Sequence, residues 1–389
     1  MSRSWSRLDG VDLLRGLAIL LVLMNHVNMR LLFAHVHYTR GLPRPLVTAL
    51  VWNGQLGVQM FFAVSGFLIT STSLRRWGSL GAVSMKGFYL LRFARIAPLL
   101  LMLLAILSVL HLAHLRDFVV SAKEGGLPAA LFAALTFHVN LFEATRGYLP
   151  GNWDILWSLS VEETFYLVFP VAALLLGRSK QFAMLLLLFV VLGPLGRTVL
   201  THGNEVWQEY SYLGGTDAIA MGCLTALLLQ HRHRLSAAGL RACLVAGTIL
   251  TGFMLFFSAI ADAWGLERTG LGMSLMGLGT SLLIAFFAQT PWKASRLFSP
   301  LLSIGQRSYE IYLTHMFVVF ACFHLFVHFG KPLHWAWPLF GVVILLAGLI
   351  GELVAHGYSE PMNRWLRRHT GEGASHMGTV VDTGDRVIA

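Results

Sequence analysis

Residues 13–34 read LLRGLAILLVLMNHVNMRLLFA, an apolar run whose only ionisable groups are Arg15, His26 and Arg30. A helix crosses the hydrocarbon core of a bilayer with about 20 mostly apolar residues, so this run is expected to span a membrane. Arg3 and Arg7 precede it as they would a secretory leader. The charged interior and the lack of a small-residue cleavage site favour a retained helix instead. Working outward, similar runs recur at 56–74, 93–114, 155–176, 182–200, 212–230, 242–261, 270–288, 307–328 and 335–357. The expected fold class is an all-α integral membrane protein with about ten transmembrane helices in one bundle. One polytopic domain fills 13–368, between a short cytoplasmic N-terminus at 1–12 and a flexible cytoplasmic tail at 369–389. Composition agrees, since 56% of the 389 residues are hydrophobic and 12% are charged. A soluble domain carries about 25% charged residues, and a soluble enzyme is excluded.

The formal net charge is +10, but the basic residues lie between apolar runs. Positive charge in cytoplasmic loops explains that pattern without nucleic acid. The stretch 127–142 is apolar but short, and it contains His138 and Asn140. If it does not cross and the N-terminus is cytoplasmic, 17 basic residues fall inside and 9 outside, with Arg15, Arg307 and Arg386 set apart. If it crossed, Arg178/Lys180, Arg232/Arg234/Arg241 and Arg364/Arg367/Arg368 would all move outside. Ten spans with both termini cytoplasmic are therefore expected, and 116–154 becomes the largest outer feature. The cysteines Cys223, Cys243 and Cys322 sit in apolar runs and read as small buried hydrophobes. The pairs His35/His37, His111/His114, His231/His233 and His324/His328 lack a third ligand at a metal-site spacing, so no metal is expected.

An ionisable group at the bilayer centre costs about 2.5–3.5 kcal/mol on insertion scales, so each one needs a reason. Arg15 and His26 are eleven residues apart, three turns on one helical face and about 16 Å along the axis. Glu162 and Glu163 lie in NWDILWSLSVEETFYL, residues 152–167. Adjacent helical residues diverge by about 100°, so at most one points straight at a shared site. Trp153 and Trp157 read as interfacial belt anchors. In RSYEIYLTH, residues 307–315, Ser308, Tyr312 and His315 share one stripe. Arg92 and Arg95 stand at i, i+3 on the cytoplasmic side of a span. That spacing suits bidentate phosphate binding, or simply sets topology. Each of these clusters also has a structural reading, as a snorkelling side chain or an interhelical hydrogen bond.

Taken together, these clusters resemble the acyltransferase-3 family of bacterial membrane O-acyltransferases, from about Asp12 to Arg364. The matching motifs run in order. They are Asp12-Leu-Leu-Arg15-Gly16 with His26 beyond it, Gly57-Val-Gln-Met-Phe-Phe-Ala-Val-Ser65-Gly66, and Arg92-x-x-Arg95, followed by Trp157-Ser-Leu-Ser-Val-Glu162-Glu163 and Ser308-Tyr309-x-x-Tyr312-Leu-x-His315. Leu13, Gln59, Met60 and Thr164 depart from common family choices. The resemblance implies a multi-pass protein of the bacterial plasma (inner) membrane. It would transfer an acyl group, usually acetyl, from cytosolic acyl-CoA to a hydroxyl of a carbohydrate or other glycosylated acceptor. No appended esterase-like region is visible, so the stand-alone form is expected. The resemblance also makes His26 the central catalytic residue and Arg15 its partner. On this reading acyl-CoA is a co-substrate and no cofactor is permanently bound. Its phosphates dock on Arg92 and Arg95, helped by Arg75, Arg76 or Lys86. His26 acts as general base or transient acyl carrier. Glu162 or Glu163 orients the imidazole or the acceptor, and Tyr312 and His315 donate to the oxyanion. The rival reading is an oligosaccharide transporter with an intramembrane Arg/His/Glu path, but the two halves show no internal repeat.

Overall fold

A computed structural model describes residues 8–177, 180–230 and 235–369. The expectations for Arg3, Arg7, Arg178, Arg232, Arg234, Arg386, the His231/His233 pair and nearly all of the tail lie outside the described residues, as does most of the 1–12 segment. The described chain holds ten helices long and apolar enough to cross a membrane. They are α1 (Asp9–Phe33), α2 (Gly54–Trp77), α3 (Met85–Leu112), α4 (Gly151–Leu176), α5 (Lys180–Arg197), α6 (Glu205–Gln230), α7 (Ala237–Phe256), α8 (Leu271–Gln289), α9 (Ser308–His328) and α10 (Leu333–His369). Each expected run overlaps one of them, though 242–261 runs past the end of α7 into a separate short helix, Ser258–Ala263, and the protein is a multi-pass membrane protein.

The stretch 127–142 resolves into two short helices, Gly126–Leu135 and Val139–Arg146. At about 1.5 Å per residue neither can cross a core about 30 Å thick. Phe137 takes a left-handed φ of 56° at the break. The first of these helices is bent by 96° from the segment Arg116–Glu124 before it. Side chains lash this layer to the bundle. The Val139 N–H donates to Ser160 Oγ at 3.1 Å, and Asn140 Nδ2 donates to the Tyr210 carbonyl at 3.1 Å.

Helix starts explain where hydropathy misjudged the ends. Ser84 caps α3 by accepting the Gly87 N–H at 3.2 Å, so α3 begins at Met85, eight residues before the expected 93. Lys86, Arg92 and Arg95 interrupt its first turns, and an apolar scan starts late because of them. In α10 a helix at Ala336–Val354 runs through a π-helical turn, Ala355–Ser359, into Glu360–His369.

The bundle centre is α2 against α6, which bury 72% and 67% of their apolar windows, against 22% for peripheral α7. Glycines make the close approach possible. A Cβ on Gly66 would meet the Ile219 carbonyl, and one on Gly222 the Ala63 carbonyl. Small residues serve this purpose between helices in lipid. Arg197, one of the nine basic residues expected outside, is instead enclosed. It pairs with Asp217 at 2.6 Å and donates to the Gly270 carbonyl at 2.7 Å and to Ser274 Oγ at 3.0 Å. Trp153 and Trp157 are corrected in the same way. Both are buried, and Trp157 stacks on Tyr210 with ring centroids 4.1 Å apart.

Candidate active site

Five spans, α1, α2, α3, α4 and α9, bring the polar stripes together. On α9 the expected stripe is real, and each member meets a different helix. Ser308 Oγ accepts from Arg15 Nε at 3.1 Å. The Tyr312 hydroxyl meets Ser158 Oγ at 2.7 Å and donates to the Ile155 carbonyl at 3.1 Å. His315 lies beside His26, with ring centroids 5.1 Å apart and planes inclined at 46°. His315 Nδ1 is 2.7 Å from the Tyr312 carbonyl. A carbonyl can only accept, so Nδ1 carries the proton and Nε2 is the basic nitrogen. That Nε2 is buried with no hydrogen-bond partner. His315 is fully enclosed, whereas His26 keeps partial exposure inside the bundle. Of the two imidazoles, His26 is the more exposed.

Arg15 and His26 share α1 but do not touch. Arg15 is held by Ser308 and by Asp12, 3.8 Å away, and the ring partner of His26 is His315. The structure thus shows no direct Arg15–His26 partnership; each meets α9 separately, at Ser308 and His315, seven residues apart.

The remaining charges form two interhelical ion pairs. Arg92 of α3 faces Glu163 of α4 at 3.5 Å and lies over the Tyr166 ring, 3.7 Å from its centroid. Arg95 meets Glu310 of α9 at 2.9 Å. Glu162 packs against Ser65 of α2 and the Tyr166 hydroxyl. Glu162 and Glu163 thus serve two neighbouring sites, as the divergence of adjacent residues requires. Because α3 starts early, Arg92 and Arg95 are seven and ten residues inside it rather than at its edge. Even so, 27% and 26% of their side-chain surfaces stay exposed, as do parts of Arg15, Ser65, Glu162 and Tyr312. Arg75 and Arg76 close α2 ten residues beyond Ser65, about 15 Å along the axis and apart from this cluster. Lys86 lies in the first turn of α3.

Sequence reading gave no role to Tyr166, Ser158, Glu310 or Asp12. Glu310 was visible as a carboxylate inside an apolar run, three residues after Arg307. Ser158 and Tyr166 carried no charge to mark them.

A family model described as an acyltransferase domain matches residues 8–356. A peptidoglycan O-acetyltransferase OatA of Listeria monocytogenes is 29% identical over 334 residues, covering 78% of this chain and 48% of that protein. An O-acetyltransferase OatA of Staphylococcus aureus is 24% identical over 372 residues, covering 92% and 57%. A putative O-acetyltransferase of Staphylococcus aureus is 26% identical over 336 residues, covering 80% and 50%. The chain spans about half the length of the curated relatives it matches. No solved structure matches it.

Proposed function

We propose, for a chain that belongs to this acyltransferase family, that it moves an acyl group from acyl-CoA to a carbohydrate hydroxyl. Acetyl is the simplest donor group, and the relatives' printed names point to a glycan of the bacterial envelope as acceptor. The protein works in the bacterial plasma membrane with both termini in the cytoplasm.

The observation that carries this reading is the imidazole pair, a reachable His26 against an enclosed His315, at the end of a row of half-exposed polar groups. In the reaction, the acceptor hydroxyl gives its proton to His26 while its oxygen attacks the thioester carbonyl. The new O–C bond forms, the C–S bond breaks, and the CoA thiolate leaves and takes up the proton. A positioned general base of this kind contributes about 10²–10⁴-fold. Tyr312 borders the place where the oxyanion develops, and its hydroxyl donates there by turning from the Ile155 carbonyl. His315, whose N–H is held by the Tyr312 carbonyl, has no proton to offer and loses the donor role expected of it. Arg75, Arg76 and Lys86 meet the CoA phosphates at the cytoplasmic mouth. Arg92 and Arg95 wall the passage beyond, where a phosphate can replace Glu163 or Glu310 as their partner. Arg15 fixes α1 against α9 and so sets the approach of His26 to His315.

The test is His26→Gln, which preserves volume and one donor and acceptor but cannot take up a proton near neutral pH. Acyl transfer from radiolabelled acetyl-CoA, per molecule eluting correctly in detergent, should fall by at least about 10²-fold. A well-folded variant that keeps most of its transfer would remove His26 from the chemistry.

A further inference from the structure

Beyond His26, at the end of the bundle remote from Arg15, lies a cleft of about 320 Å³. That volume falls at the lower end of ligand sites, which run about 300–1,000 Å³. Its walls include Arg30, Arg116, Asp117, Glu124 and Tyr148. Arg30 is four residues from His26 on α1, one turn and about 6 Å along the axis. Its guanidinium lies over the Phe320 ring, 4.5 Å from the centroid. Asp117 and Asp154 act on its charge, yet no ion pair or hydrogen bond engages its guanidinium among the described residues, and its Nε is buried without a partner.

The cleft's other groups are held ready. Asp117 is paired with His324. Glu124 closes a capping box with Ser121, accepting the Ser121 N–H at 3.0 Å. Two cations and two carboxylates balance, so the cleft selects neither a simple anion nor a simple cation. Donors and acceptors together, beside an exposed aromatic ring, Tyr148 at 54% exposure, are what vicinal hydroxyls and the apolar face of a sugar ring require.

We propose that this cleft seats a sugar ring of the acceptor, with the unpartnered guanidinium of Arg30 holding it so that one hydroxyl reaches His26. This rests on the transferase reading above, and it assigns the acceptor to the 116–151 layer and the donor to the opposite end. Arg30 is then a binding residue for the acceptor and Tyr148 its platform.

The experiment uses the full-length protein in detergent, with acetyl-CoA and soluble glycan strands from peptidoglycan lacking O-acetyl groups. Arg30→Gln and Tyr148→Ala are compared with wild type. The Tyr148 side chain is more than half exposed, so that variant tests the cleft without disturbing the bundle. Each change should raise the acceptor KM by at least about tenfold, the scale of one charge-assisted contact, with the acetyl-CoA KM within about twofold of wild type. Transfer with an unshifted acceptor KM in both variants would overturn the cleft assignment alone. An equal rise in both KM values would overturn it too. Failure of the wild-type protein to transfer acetyl to the strands would overturn the proposed function, and the cleft's role with it.

Discussion

Arg92 shows how much a single side chain's role depends on what faces it. From sequence it suits phosphate binding or simply sets topology, and neither reading gives it a partner in the fold. With Glu163 opposite and the Tyr166 ring beneath, Arg92→Ala strands a buried carboxylate. Breaking a buried pair from one side costs about 3–5 kcal/mol, and the partial exposure of Arg92 favours the lower end. Thermal unfolding in detergent should show the loss, and adding Glu163→Gln should recover most of it. Equal stability of Arg92→Ala and wild type would mean that the pair does not form. Glu143 gives a residue-scale prediction outside the spans. Its carboxyl is buried and accepts the Leu149 N–H at 3.0 Å. Burial first, then the nearby Asp154 charge, raises its pKa well above the ordinary 4.5. A group that holds its proton more tightly when folded stabilises the fold fully below its unfolded value, and that contribution fades as pH climbs through the raised one. Hydrogen exchange across 139–149 should therefore quicken with pH beyond its intrinsic trend, and Glu143→Gln should abolish the excess. The site was legible where a charge interrupted an apolar run, as at Arg15, His26, Glu163 and His315. What sequence withheld was partnership. Nothing in the chain says that Ser308 receives Arg15, or that Glu310 receives Arg95, 215 residues away.

At the scale of elements, the ten spans were legible because lipid imposes a length and a polarity on each of them. Their ends were less so, since capping by Ser84 or a left-handed residue such as Phe137 is a local event that an apolar window averages away. The α2–α6 contact escaped notice because glycine leaves no mark on hydropathy. Gly222→Val would drive its Cβ into the Ala63 carbonyl, and backbone cannot rotate aside as a side chain does. Overpacking of this kind costs about 1–3 kcal/mol or more, so the folded yield in detergent should drop sharply. Gly252 in α7 has nothing within 4 Å of such a Cβ. Gly252→Ala should be neutral or gain up to about 1 kcal/mol from helix propensity. Similar losses at both positions would mean that the glycines are not where the helices touch.

For the whole molecule, the orientation proposed for the bundle can be read by labelling. In a chain with Cys223, Cys243 and Cys322 replaced by alanine, cysteines at the exposed positions Arg40 and Lys331 should react with an impermeant maleimide on intact cells. A cysteine at exposed Ser79 should react only after permeabilisation. The reverse pattern would invert the bundle, placing the mouth proposed for acyl-CoA outside the cell and ending the donor proposal. The glycine seam between α2 and α6 bears on how the assembly answers to temperature. A water-driven core weakens on cooling because parting it hydrates apolar surface, which gives unfolding a large heat capacity. Parting α2 from α6 inside a bilayer exposes them to hydrocarbon, so that hydration contribution is absent. Their adhesion is dispersion between close backbones, an enthalpy that changes little with temperature. The centre of this protein should therefore hold as firmly in the cold as at growth temperature, and chilling should leave intact the frame that sets His26 beside His315.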